Sequence, residues 1–454
     1  MKKIINSISA IFMLSLLLTA TSCKKYLDAK PDKQLAVPSS VEDLQALLDN
    51  SRIINEKDPG AAEMSSDNYY LTTTDWNPLD EDQRRLYTWE KDYVFPLWPN
   101  QWSYAWDMVY YTNAVLDNLE KVPVSASNQS AWNNVKGQAL FHRAKEFSHI
   151  AFVWSLAYDS ATAATDLGIP LRLTGDFNQP SVRSSVKQTY ERIISDIEQA
   201  IPLLPVTPVH VLRPSKPAAY GLLARVYLSM RKYDLAGKYA DSALQLNSTL
   251  LDYNTVSSTP ARPFTRFNPE VVMDSYAGNT PLLSNSRAKI DSTLYPTYAT
   301  NDLRKKIFFK DNFNGTYGFK GTYTGSTAGF TGIANDENYL MRAECYARSG
   351  NTTAAMSDLN TLLVKRWKTG TFVPLMAATQ QVALDIILLE RRKELLYRGL
   401  RWMDIKRLNK EGAGIVLKRI LNGVTYTLAP NDLRYAIAIP EDVIAISGMT
   451  QNPR

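Results

Sequence analysis

The chain has 454 residues, enough for a large core and, by length alone, for two or three domains, with the 45% hydrophobic and 21% charged content of a soluble globular protein. Setting aside Lys2 and Lys3, which fall in a leader segment, the balance is 49 basic to 45 acidic residues, +4 in place of +6, too even for a nucleic-acid binder. Two cysteines (Cys23, Cys345) and three histidines exclude a disulfide framework and any His/Cys metal cluster, so neither cofactor nor metal is expected, whereas 25 Tyr, 14 Phe and 9 Trp are the unusual numbers.

The first 22 residues read as an address. Lys2 and Lys3 precede an apolar run ending at Leu18, and the small residues Thr19–Ser22 lead directly to Cys23. That order is a secretory signal closing in a lipobox, although Ala20 stands where leucine is commoner, and it makes Cys23 the lipidation site and the mature N-terminus. A plain secretory signal with an incidental cysteine is the alternative. Cys345, in "MRAECYARSG", is then a small buried hydrophobe.

Ser39 or Ser40, with Glu42 and Asp43 three residues on, starts a helix striped by Leu44, Leu47 and Leu48. Residues 51–97 show no sustained period. "WPNQWSYAWDMVYYTNAVLDNLEKV" is helical, with Trp102, Trp106, Val109, Asn113 and Leu116 on one face. Trp102 and Trp106, at helical spacing, are read as core, whereas Trp76 and Trp98 lie in turn-like contexts. A long helical pattern, "WNNVKGQALFHRAKEFSHIAFVWSLAYD", and a helix capped by Ser185 and Gln188 follow.

An internal repeat comes next. Ala224, Tyr227, Ala236 and Ala243 are echoed by Ala343, Tyr346, Ala355 and Leu362, and more weakly by a start at Ala144. The pattern resembles tetratricopeptide helix pairs, in which small residues let antiparallel helices approach, here separated by insertions. Residues 251–337 are an insertion rich in Pro, Gly, Asn, Ser and Thr, with Asn314-Gly315 as a hairpin signal. Its glycines make no phosphate loop, because no Gly-Lys-Ser/Thr follows.

"LLERRKELLYRGLRWMDIKRL" (388–408) carries seven basic residues in 21. Its apolar stripe faces a core, and the charges find local partners at helical spacing: Glu390 with Lys393, Glu394 with Arg398, Asp404 with Arg401 and Arg407. Gly399 is read as the C′ residue that ends one helix before the next.

That segment, followed by "RYAIAIPEDVIAISGMTQNP" with a strand ending at Ile439-Pro440, resembles the C-terminal signature of the SusD/RagB-like family. The resemblance extends through "KKYLD" after Cys23, "PDKQL", "WDMVYYTNAVLDNLEKV", "FHRAKEF", "LGIPLRL" and "NDLRKKIFFK"; "RAKEF" departs from the usual pattern. It implies a mostly α fold: a scaffold of tetratricopeptide-like pairs with long irregular loops and a small β excursion. It further implies a lipoprotein on the outer membrane, lying over a SusC-type TonB-dependent transporter to which it passes captured oligosaccharides, or in some branches peptides. One domain is expected over 23–454, with a helical part to 250, the 251–337 insertion and a second helical part from 338. No nucleophile elbow or convincing carboxylate pair is present, so binding without catalysis is the first reading. A surface glycoside hydrolase on the same scaffold and a purely structural protein are the others. The ligand platform is expected from aromatics on loops: Trp76, Tyr276, Tyr295, Tyr298, Tyr317 and Tyr323.

Overall fold

The computed structural model describes residues 38–454. The leader, Cys23, "KKYLD" and "PDKQL" lie outside the described residues. Ten helices of eight or more residues carry the fold among the described residues: α1 (Val41–Leu48), α2 (Gln101–Leu119), α3 (Gln129–Trp154), α4 (Val186–Ala200), α5 (Lys216–Ser229), α6 (Tyr233–Leu246), α7 (Asn335–Arg348), α8 (Thr352–Leu363), α9 (Gln380–Glu394) and α10 (Arg401–Asn409). The described strands form only two-stranded antiparallel pairs. The mostly α expectation is correct. Capping boxes start α1 at Ser40/Asp43 and α4 at Ser185/Gln188, as their sequences require.

Each helix from α2 to α8 packs on the next in sequence, and α9 packs back on α7 and α8, so the stack grows one helix at a time. The pairs α5/α6 and α7/α8 repeat down to their turns. Arg231 and Gly350 hold left-handed φ of 60° and 83°. The following N–H groups donate to the Tyr227 and Tyr346 carbonyls at 2.9 Å, the Schellman closure of a helix end. Ala224, Ala236, Ala343 and Ala355 are fully buried between these helices. Gly237 of α6 faces Cys345 of α7 so closely that a Cβ there would lie 2.9 Å from the cysteine Cβ. Burial pushes the Cys345 thiol up to about 12, in keeping with a packing residue and not a reactive one.

The insertion follows its turn signals. Phe309–Asp311 pairs with Tyr317–Phe319 across a loop containing Asn314-Gly315, with Gly315 at φ 79°. A second hairpin, Leu417–Leu421 with Val424–Leu428, turns on Asn422-Gly423.

Three expectations for the C-terminal signature need correction. First, α9 ends at Glu394, and Gly399, at φ 71°, stands just before the Leu400 N-cap of α10 instead of ending α9. Second, residues 436–440 are no paired strand. They form an extended segment buried on both sides, fixed by Ile437 N–H to the Val153 carbonyl at 3.0 Å and by the indole N–H of Trp154 to the Ala438 carbonyl at 3.1 Å. Third, the charges are mostly not paired locally.

Glu390 does meet Lys393 at 2.6 Å and Asp404 meets Arg407 at 2.8 Å. Glu394, however, bridges Arg304 (2.9 Å) and Arg366 (2.7 Å), and Arg366 also holds Glu270 at 2.7 Å. Arg398 reaches Asp336, Arg401 reaches Asp67 (2.7 Å), Arg392 reaches Asp291 (2.8 Å), and Arg407 reaches Glu344 (2.6 Å). Lys406 donates to the carbonyls of Phe152 and Ser155. Arg391 reaches Asp404 at 2.9 Å, so all seven basic side chains of the segment bind inside the fold. The Arg304 and Arg366 guanidiniums hold the buried Glu394 carboxyl below its usual range against the desolvation that raises it. Neutralising Glu394 takes one carboxylate from each of two buried guanidiniums, so Glu394→Gln is expected to cost about 3–5 kcal/mol in urea denaturation. A loss below about 1 kcal/mol would show that this network does not hold the two regions together.

Candidate functional site

Three aromatics at four-residue spacing, Trp102, Trp106 and Tyr110, fall on one face of α2. They rise from core to solvent. Trp102 is buried edge-on against Trp154 (ring centroids 5.1 Å apart), Trp106 lies 5.5 Å from Trp102 and is half-buried, and Tyr110 is exposed. The loop after "LGIP" brings Phe177 over the Tyr110 ring, with centroids at 4.8 Å and planes at 30°. Phe177 is 76% exposed, too open to be a core residue.

The loop is tied to the same helix one and two turns further on. The Asn113 amide donates to the carbonyls of Arg172 (2.9 Å) and Thr174 (3.3 Å), and Asp117 accepts from the Gly175 N–H at 2.7 Å. Arg172 closes the loop on itself through the Asp176 and Gln179 carbonyls and the Ser181 hydroxyl. These ties enclose a cleft of about 650 Å³ lined by Trp102, Trp106, Asp107, Tyr110, Arg172 and Phe177, with Val443 and Ser447 on the far wall.

Its polar groups are not used up. The indole N–H of Trp106 is buried without an acceptor. The Asp107 carboxyl stands at the wall; partial burial raises it above its ordinary value and Lys57 opposes that rise. Ring faces beside an open donor and an open carboxylate suit a ligand with apolar C–H faces and many hydroxyls.

Val443 and Ser447 belong to the short helix Glu441–Ser447, which joins the cleft to an aromatic crest. Glu441 accepts from the Tyr93 N–H at 2.6 Å and Asp442 from the Trp98 N–H at 2.9 Å. Tyr93, Leu97 and Trp98 are all more than half exposed, Trp98 at 74%.

The six loop aromatics proposed from sequence do not gather. Tyr298 and Tyr323 are corrected outright: both are fully buried. The Tyr298 hydroxyl binds the Lys393 carbonyl (2.8 Å), and that of Tyr323 binds Tyr253 (2.7 Å), leaving no ring face open. Tyr295 and Tyr317 cover each other, stacked at 3.6 Å. Tyr276 sits under Arg266, and Trp76 lies beneath Arg84 with its N–H on the Arg84 carbonyl. Among the described residues, none of the six lines the cleft. Trp106, which its helical spacing favours as core, lines the cleft, together with Tyr110, Asp107 and Phe177, which the sequence reading does not single out. Phe177, in "TGDFNQP", satisfies the same criterion of an aromatic in a turn context that selected Tyr317.

Comparisons agree with this architecture. A family profile described as "Starch-binding associating with outer membrane" matches residues 25–228, and the SusD family profile matches 279–443. No curated protein sequence matches significantly. A SusD superfamily protein of Bacteroides thetaiotaomicron has a similar structure, with a TM-score of 0.73 at 21% identity, covering 91% of this chain and 100% of its own. A SusD-like carbohydrate binding protein of Bacteroides vulgatus gives 0.67 at 20%, covering 90% and 97%. A laminarin binding SusD-like protein gives 0.65 at 18%, covering 90% and 97%. At these identities the likeness is one of fold. Among the described residues, no helix is long and apolar enough to cross a membrane. With both profiles matched in order along the helical stack, the chain belongs to the SusD/RagB-like family.

Proposed function

We propose that this protein is a cell-surface lipoprotein that binds oligosaccharides in the α2 cleft and delivers them, without catalysis, to a SusC-type TonB-dependent transporter. The observation that carries the binding reading is the cleft itself: aromatic faces beside an indole N–H that has no protein acceptor and an exposed carboxylate with Lys57 nearby. Sugar rings offer C–H faces to Trp106, Tyr110 and Phe177. Their hydroxyls can accept from the Trp106 N–H and donate to Asp107. Every hydroxyl left unmatched costs about 1–3 kcal/mol, so net affinity falls in the micromolar to millimolar range, about −8 to −4 kcal/mol. The family match and the laminarin-binding and carbohydrate-binding relatives support a glycan over a peptide.

Titration calorimetry with laminarin-derived and starch-derived oligosaccharides tests the site. Phe177→Ala and Trp106→Phe are the informative variants. The first removes an exposed ring; the second keeps a ring but deletes the N–H. Phe177→Ala is expected to weaken binding by about 1–3 kcal/mol with an unchanged melting temperature. Wild-type affinity in both variants would place the ligand elsewhere. Release of new reducing ends by purified protein would favour the hydrolase reading. Binding of peptides in preference to both glycans would favour peptide capture.

Anchoring rests on Cys23 and the residues before it. Mild detergent extraction of outer membranes, after crosslinking, is expected to yield the wild-type protein acylated and associated with a larger β-barrel protein. Cys23→Ala should lose acyl labelling and detergent partitioning. Undiminished partitioning of that variant contradicts the anchor, and repeated recovery of the wild type alone contradicts the transporter partnership.

A further inference from the structure

Two groups of three metal-competent side chains lie in the interior of the described residues: Glu270, Asp336 and Glu394, and Asp58, Glu146 and His149. The first is saturated by arginines: Arg366 on Glu270, Arg398 on Asp336, and Arg304 with Arg366 on Glu394. It has no capacity left for a cation.

The second group differs. Glu146 and His149 are one turn apart on α3, and Asp58 comes from the segment before the short helix Ala61–Met64. Asp58 Oδ1 is held by Lys145 at 2.6 Å, and Oδ2 by the Ser275 and Thr331 hydroxyls at 2.8 and 2.5 Å. Glu146 is fully buried, yet neither carboxylate oxygen has a hydrogen-bond donor, and Nδ1 of His149 also has no partner. An ionised, unpartnered carboxylate in such a place is costly, so the site is completed either by a proton or by a cation.

The spacing fits a cation. His149 Nδ1 lies 3.5 Å from Asp58 Oδ2 and 3.7 Å from Glu146 Oε2. Ligands held about 2.1 Å from a tetrahedral zinc stand about 3.4 Å from one another. The Ser275 and Thr331 hydroxyls on Oδ2 and the Lys145 ammonium on Oδ1 would hold the Asp58 carboxylate in place, as outer-sphere donors do. Thr331 also lines a recess of about 340 Å³, with Gly60 and Glu63. We propose that Asp58, Glu146 and His149 form an internal site for one divalent ion of the zinc class. One nitrogen and two oxygen ligands select zinc over calcium, which takes six or more oxygens. The ion would pin residues 58–60 to α3.

The mature protein, stripped with chelator and dialysed against micromolar zinc, tests this by elemental analysis and thermal melting. One equivalent of zinc should remain and the melting temperature should rise. Cobalt should give a visible ligand-field spectrum. Glu146→Gln, which mimics the protonated carboxyl and preserves shape, should retain the metal-free melting temperature while its zinc affinity falls at least about tenfold. No retained zinc and no cobalt spectrum in folded wild type overturns the proposal whatever the variants do, as does equal zinc affinity in wild type and Glu146→Gln, which would mean surface binding only. Calcium binding in place of zinc also overturns it.

Discussion

The carboxylate of Glu394, gripped between Arg304 and Arg366, is the interaction on which the rest of this structure depends. It sits at the last position of α9, between the 251–337 insertion, which supplies Arg304 and Glu270, and the turn after α8, which supplies Arg366. Asp302, Glu390 and Lys393 extend the network on one side. Arg398 with Asp336 extends it on the other, into the first turn of α7. Burying so many ions is expensive, and each is tolerable only because its neighbours saturate it. Such a network stabilises little beyond an apolar core of equal volume. It does admit one arrangement of the insertion against the helices, because any slip leaves a guanidinium or carboxylate bare. The long loops are thereby rigid enough to hold recesses open.

Rigidity of another kind fixes the α2 cleft. Asn113 and Asp117 are polar residues of α2 whose side chains bind the backbone of the 172–181 loop and leave Tyr110 and Phe177 to face each other above Trp106. Helix α2 is thus asymmetric in use. On one face Trp102 packs the core against Trp154, and Tyr110, two turns on, is exposed to solvent. A glycan bound there would meet pre-positioned groups and lose less entropy than in a loop that must close around it.

The fold was largely legible because its signals are local. Capping boxes at Ser40 and Ser185, the Asn314-Gly315 turn and the alanine pattern at 224, 236, 343 and 355 each depend on residues a few positions apart. The partners of the charges were not legible, because helical spacing shows only what is near in sequence. Glu394 and Arg398 are four residues apart, yet they bind Arg366 and Asp336. The extended segment through Ile439 resembled a strand because alternating β-branched and small residues suit any two-sided burial. The site was the least legible part. Excluding helical aromatics as packing residues ignored that a face with rings at 102, 106 and 110 is longer than the core it covers. Choosing loop tyrosines ignored that a Gly-rich excursion needs its own hydrophobic filling, which Tyr298 and Tyr323 supply.

The central claim is that ligand enters the α2 cleft, and amide hydrogen exchange with and without saturating oligosaccharide tests it most directly, because it reports on every segment at once. The account predicts slowed exchange in the 172–181 loop, the exposed turns of α2 and the helix Glu441–Ser447, with the 293–323 loops unchanged. Protection confined to the 293–323 loops, with the α2 cleft unaffected, would contradict it.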